Sequence, residues 1–95
     1  MTLEQFERHW TTTHAALARR LPGIRGCRIN IVRPVPGQEP PWDGVGEVWF
    51  DSEADLEAAF EALAEEFAAD RELFIGEAVR FLVDEHVVVA EPRPT

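Results

Sequence analysis

Ninety-five residues make one domain, 1–95, and a chain of this size buries only about 60–65% of the surface its unfolded form exposes, so it has room for one core layer. With 45% hydrophobic and 28% charged residues it falls among globular chains and away from disorder. Eighteen acidic against nine basic residues give a formal charge of -9, which excludes nucleic acid and anionic membranes as partners, since both are held by clustered lysine and arginine. Neutral or weakly polar small molecules and other protein subunits remain.

Cys27 is the single cysteine, so no intrachain disulfide can form and an oxidising compartment is not required. No basic segment leads into an apolar run, and the late apolar stretch Val87 to Ala90 is far too short to cross a bilayer. A cytoplasmic location is the expectation.

Thr2 followed by Gln5 predicts a capping box, in which hydroxyl and amide side chains answer each other's backbone N–H groups. Leu3, Phe6, Trp10, Thr13/His14, Leu17 and Leu21 then recur every three or four residues and predict a helix over residues 3–20. Pro22 and Gly23 stop it.

Residues 27–33 are β-branched and nearly alternating, which predicts a strand. Pro34, Pro36, Gly37, Pro40 and Pro41 mark a stiff loop, and residues 45–50 predict a second strand. Alternation puts Val45, Glu47 and Trp49 on one face and Gly46, Val48 and Phe50 on the other. Which face meets the helices is left open by the pattern.

Ser52, three residues before Asp55, predicts a second N-cap, with Leu56, Ala59/Phe60, Leu63 and Phe67 as the buried stripe of a helix ending near Ala69. Gly76 interrupts the stretch from Asp70 to Val79. Phe81 to Val83 and, more strongly, His86 to Ala90 have strand composition, before a charged tail at residues 91–95. An antiparallel sheet with two helices on one face satisfies this order, giving an α+β fold whose other sheet face asks for a partner.

Phe6, His9, Trp10 and His14, then Leu21-Pro22-Gly23, Asn30, the run from Asp43 through Trp49-Phe50-Asp51, and late Phe81 with Asp84-Glu85, together resemble the EthD family of the dimeric α+β barrel superfamily. The resemblance covers about Phe6 to Val89. It implies a ferredoxin-like protomer whose sheet stacks on that of a second copy, a homodimer closing a barrel through the sheet face. It also implies a pocket between sheet and helices, and a role in degrading small organic compounds. The strand that ordinarily precedes the first helix in such relatives has no room ahead of the Thr2 cap, and the expectation is that this chain begins late, that the remaining strands close up, or that another chain fills the space. Cys27 stands where relatives often carry an aromatic, and a chain without tyrosine has no phenol for catalysis.

His14 shares the apolar face of Trp10 and Leu17 and is the candidate base. Glu47 is the candidate second catalytic group, orienting His14 or acting itself. Trp10, Asn30, Trp49 and Phe60 are the candidate pocket walls. A structural histidine bonded to a carboxylate or carbonyl is the competing reading for His14, and a structural tie to an arginine for Glu47. His9 and His86 read as structural or exposed.

A five-residue gap turns about 500° on an α-helix, which separates His9 from His14 and gives no metal spacing. Haem would need only His14 but also a large apolar cavity. No phosphate-binding glycine loop is present, and no cofactor is expected. Cys27 reads as a small packing residue, and Asp43, Asp51, Asp84 and Glu85 as turn and cap residues. The expected function is a cofactor-independent enzyme using a histidine base on a small, largely apolar molecule, by oxygenation, isomerisation or cyclisation. The alternative is a non-catalytic binding or structural homodimer.

Overall fold

In the computed structural model, which describes residues 1–90, the chain opens with three helical segments run end to end: α1 (Leu3–His9), a π-turn (Trp10–His14) and α2 (Ala15–Ala18). The capping box forms as expected, with Thr2 Oγ1 accepting from the Gln5 N–H at 3.1 Å and Gln5 Oε1 accepting from the Thr2 N–H at 2.8 Å. Gly23, at φ 78°, takes the left-handed conformation that turns the chain out of the helix.

Strands β1 (Gly26–Ile31) and β2 (Gly44–Trp49) pair antiparallel, Gly26 opposite Trp49 and Ile31 opposite Gly44. Two further bonds extend the ladder, Arg25 N–H to Trp49 O at 2.8 Å and Val32 N–H to Asp43 O at 2.9 Å. The indole of Trp10 lies over Gly44 and Gly46, where only a hydrogen leaves room for it. That contact decides the face the pattern left open: Ile29, Ile31, Gly44, Gly46 and Val48 lie on the helix side. Arg28, Asn30, Val45, Glu47 and Trp49 lie on the other. Phe50, leaving β2, meets Phe60 at a ring separation of 6.3 Å.

Ser52 caps α3 (Glu53–Ala62), its Oγ accepting from the Asp55 N–H at 3.1 Å. The chain bends at Leu63 (φ -118°, ψ 24°) and resumes as α4 (Ala64–Phe74). The expected single helix to Ala69 is therefore two helices, and the second reaches Phe74 before Ile75 turns extended. Ala18, Leu21 and Ala59 form the buried core, with Ile24, Phe50, Phe60, Leu63 and Phe67 packed around it.

The last expected strand does not form. Among the described residues the sheet has two strands, β1 and β2, and residues 75–90 form neither helix nor strand. A strand needs a neighbour for its N–H and C=O groups, and none is paired with this segment. The ferredoxin-like sheet and the dimeric α+β barrel are corrected accordingly: a two-stranded open hairpin has neither the strand number nor the closure of a barrel. A homodimer made by closing such sheets into a barrel is not the architecture of this chain. Val79, Phe81, Leu82, Val83, Val87, Val88 and Val89 stand exposed, and the chain shows 7962 Å² of surface. A compact monomer of 10.7 kDa would show roughly 5,500 Å². The charged tail expected at residues 91–95 lies outside the described residues. Among those described, no helix is long and apolar enough to cross a membrane.

Candidate functional site

Leu63, Phe67, Asp70 and Phe74 follow one another at four, three and four residues along α4, so a carboxylate interrupts an otherwise apolar stripe. Asp70 is buried, 7% exposed, and a buried carboxylate requires partners. It has two. His9 Nε2 lies 2.7 Å from Oδ1 and His14 Nδ1 lies 2.6 Å from Oδ2, one imidazole on each oxygen.

An ionised carboxylate only accepts, so each contacting nitrogen carries the proton and donates it. In the neutral ring this leaves His14 Nε2 and His9 Nδ1 with free lone pairs. Distances of this length are those of charge-assisted bonds.

Aromatic rings surround the three groups. Phe74 is buried, with its ring centre 4.6 Å from that of His9 and 5.0 Å from that of His14. Phe67 meets His14 edge-on at 5.4 Å, and Phe6 and Trp10 close the side toward the sheet at 5.7 and 6.5 Å from Phe74. Low polarity around the carboxylate strengthens its hydrogen bonds and penalises their loss. On the solvent side a shallow groove of about 430 Å³ reaches Asp70, walled by Thr13, Ala16, Leu17, Arg20, Glu66 and Leu73.

His9 and His14 come together because the helix between them is not α-helical. Across Trp10–His14 the ladder widens, and the Ala15 N–H reaches back to Trp10 O, five residues away. The α-helical count that separated the two histidines in the sequence does not apply here.

Of the residues expected at the site, His14 and Trp10 lie at it, and Phe60 touches its edge through Phe67 at 5.3 Å. Asn30, Glu47 and Trp49 lie on the far face of the hairpin. There the Asn30 side-chain amide donates to Val45 O at 3.3 Å and stands 3.4 Å from Glu47 Oε2, and Arg28 stacks on Trp49 at 5.4 Å. Glu47 is exposed and is separated from His14 by the sheet. The sequence reading missed Asp70 and set His9 aside. The signals were a carboxylate on an apolar stripe and a run of three threonines between two histidines.

Among the described residues, no group of three or more His, Cys, Asp or Glu side chains is arranged to hold a metal ion, and the three groups here are joined nitrogen to oxygen. Elsewhere, Arg25 pairs with Asp51 at the surface, Nη2 to Oδ2 at 2.9 Å. Hydrogen bonds from Arg25, and then its charge, hold the Asp51 carboxyl below the usual range. Partial burial pushes the Cys27 thiol up, against the opposing field of Arg19.

Residues 1–78 match the EthD domain. The chain belongs to the EthD family. The EthD match takes in both helical arms of the site and the hairpin, and ends within the segment that follows α4. No curated protein matches this EthD chain.

Proposed function

We propose that this EthD protein is an acid–base enzyme for a small, largely apolar organic molecule, with His14 Nε2 as the base. The observation that carries the reading is the 2.6 Å bond from His14 Nδ1 to a carboxylate held in an aromatic surround. Asp70 fixes the tautomer that leaves Nε2 free, and it stabilises the imidazolium formed when His14 takes a proton. It thereby fills the orienting role expected of Glu47.

His9 supports the same carboxylate from its other oxygen, so Asp70 remains an acceptor through the cycle. Substrate enters with a weakly acidic C–H or O–H group. The proton passes to Nε2, and the electron pair stays on the substrate as a carbanion, enolate or alkoxide. Isomerisation or ring closure returns the proton to a different atom. Oxygenation of an electron-rich substrate starts from the same carbanion, with molecular oxygen as the oxidant.

The modest groove, with Ala16, Leu17 and Leu73 beside Thr13, Arg20 and Glu66, favours a molecule of a few carbons over a polymer. A single cysteine without a disulfide partner supports a reducing, cytoplasmic setting. The rival reading, a non-catalytic ligand-binding or structural protein in which the three residues only tie α1 and the π-turn to α4, has the same geometry in its favour.

Solvent-deuterium exchange into candidate lactones and activated aromatic compounds tests the step itself. His14→Gln should lower the exchange rate by about 10²- to 10⁴-fold, the usual worth of a positioned base. His9→Gln should lower it less. Exchange that proceeds unchanged in His14→Gln removes the base, and its absence from the unsubstituted protein across the panel favours the rival reading.

A further inference from the structure

We propose that Thr11 and Thr12 are positioning residues for the imidazole pair, holding open the π-turn that lets His9 and His14 reach one carboxylate. The inference rests on the reading of that pair as an acid–base site, and deepens it.

On a regular α-helix, residues five apart end about 140° from alignment, too far round for both rings to address Asp70. Widening the helix by one residue realigns them. Two threonines of the turn reach back to carbonyls of the turn before it, one of which, Glu7 O, also takes the Trp10 N–H. Thr11 Oγ1 donates to Glu7 O at 2.7 Å, and Thr12 Oγ1 donates to Arg8 O. Hydroxyls that bond four residues back bend and open a helix, which is the distortion the π-turn requires. Both threonines are exposed, so packing does not account for these bonds. Their hydroxyl bonds and the paired imidazoles belong to one local geometry.

Two variants bear on this in opposite directions. Thr11→Val/Thr12→Val keeps β-branching and size but removes both hydroxyls, and the segment should relax toward an α-helix that carries His14 away from Asp70. Deleting Thr13, whose side chain makes no hydrogen bond among the described residues, removes the extra residue itself. The histidines then stand four apart, close to eclipsed on an α-helix, and both bonds should survive.

Nitrogen-15 spectra of the histidine rings read the result without any substrate. The unsubstituted protein should show two slowly exchanging ring N–H signals, one from His9 Nε2 and one from His14 Nδ1. The double valine variant should lose the His14 signal, Thr11→Ser/Thr12→Ser should restore it, and the Thr13 deletion should keep both. Two intact signals in the folded double valine variant overturn the proposal, as does loss of the pair in a folded deletion variant. If the double valine variant fails to fold, the serine and deletion variants decide. Turnover lost in Thr11→Ser/Thr12→Ser, which leaves the groove walls unchanged, while both signals persist counts against the enzymatic reading and leaves the positioning role standing.

Discussion

His9 and His14 divide one carboxylate between them, His9 on Oδ1 of Asp70 at 2.7 Å and His14 on Oδ2 at 2.6 Å. Each ring leaves one oxygen's worth of negative charge to the other, and α4 supplies both the carboxylate they share and the Phe74 ring they pack against. Replacing Asp70 by Asn gives an amide that offers one acceptor and turns an NH₂ toward the second imidazole. That ring must then change tautomer or lose its bond. The expected cost is about 1–3 kcal/mol, that of a buried polar group left short of a partner. Equilibrium urea unfolding measures it as a lower midpoint at an unchanged slope.

Gly44 and Gly46 lie under the Trp10 indole, but not equally. A Cβ at Gly46 would meet the ring at 3.1 Å, whereas at Gly44 it would overlap the ring and also stand 2.9 Å from Asn30 O. Gly44→Ala is expected to destabilise by about 1–3 kcal/mol, the range for overpacking, and Gly46→Ala by less. Thermal melts of the two variants should fall in that order, and the reverse order would contradict the seating of Trp10.

Cys27 should be a sluggish nucleophile. Partial burial raises its thiol pKa, and at any pH below that value a smaller fraction is thiolate than in an unperturbed cysteine. Alkylation by iodoacetamide at mildly alkaline pH is expected to run slower than for a cysteine peptide, with a pH–rate curve displaced to the alkaline side. A curve displaced to the acid side would show that the Arg19 field outweighs desolvation.

Asp51 titrates lower in the folded chain than in the unfolded one because Arg25 bonds it. A depressed carboxyl contributes stability that is present above its unfolded pKa and disappears as the pH falls through its folded pKa. Both groups are exposed, so the contribution is small and screened by salt. Arg25→Gln should therefore melt slightly below the parent at neutral pH in dilute buffer. The two curves should converge in high salt or once the pH passes below the carboxylate range.

Much of the fold is legible in the residues. The two caps, Thr2 with Gln5 and Ser52 with Asp55, are local chemistry and form as the sequence indicates. The strand positions follow from β-branching and alternation. The bend at Leu63 is not legible, since neither proline nor glycine stands there. His86 to Ala90 illustrates the opposite failure: its composition favours a strand, but strands are pairing decisions, and composition says nothing about whether a neighbour is available.

The site was half visible. His14 is identified by its face. His9 and Asp70 are concealed by a ladder that changes pitch between the histidines and by a helix that runs past its expected end at Ala69 to Phe74. Glu47 was a reasonable second carboxylate until the Trp10 contact fixed which side of the hairpin faces the helices.

Ile75 divides the molecule into a part that holds the shared carboxylate and a bare one. Both imidazoles that bond Asp70 come before it, and the exposed run of Val79, Phe81, Leu82, Val83 and Val87 to Val89 comes after. Damage on the two sides therefore has separate consequences. A protease that trims the stretch after Ile75 removes the sticky, strand-prone residues most able to join other chains, while the imidazoles keep their carboxylate. A single substitution at Asp70 does the reverse, leaving the chain its full length and its adhesive end while removing the group the two imidazoles share.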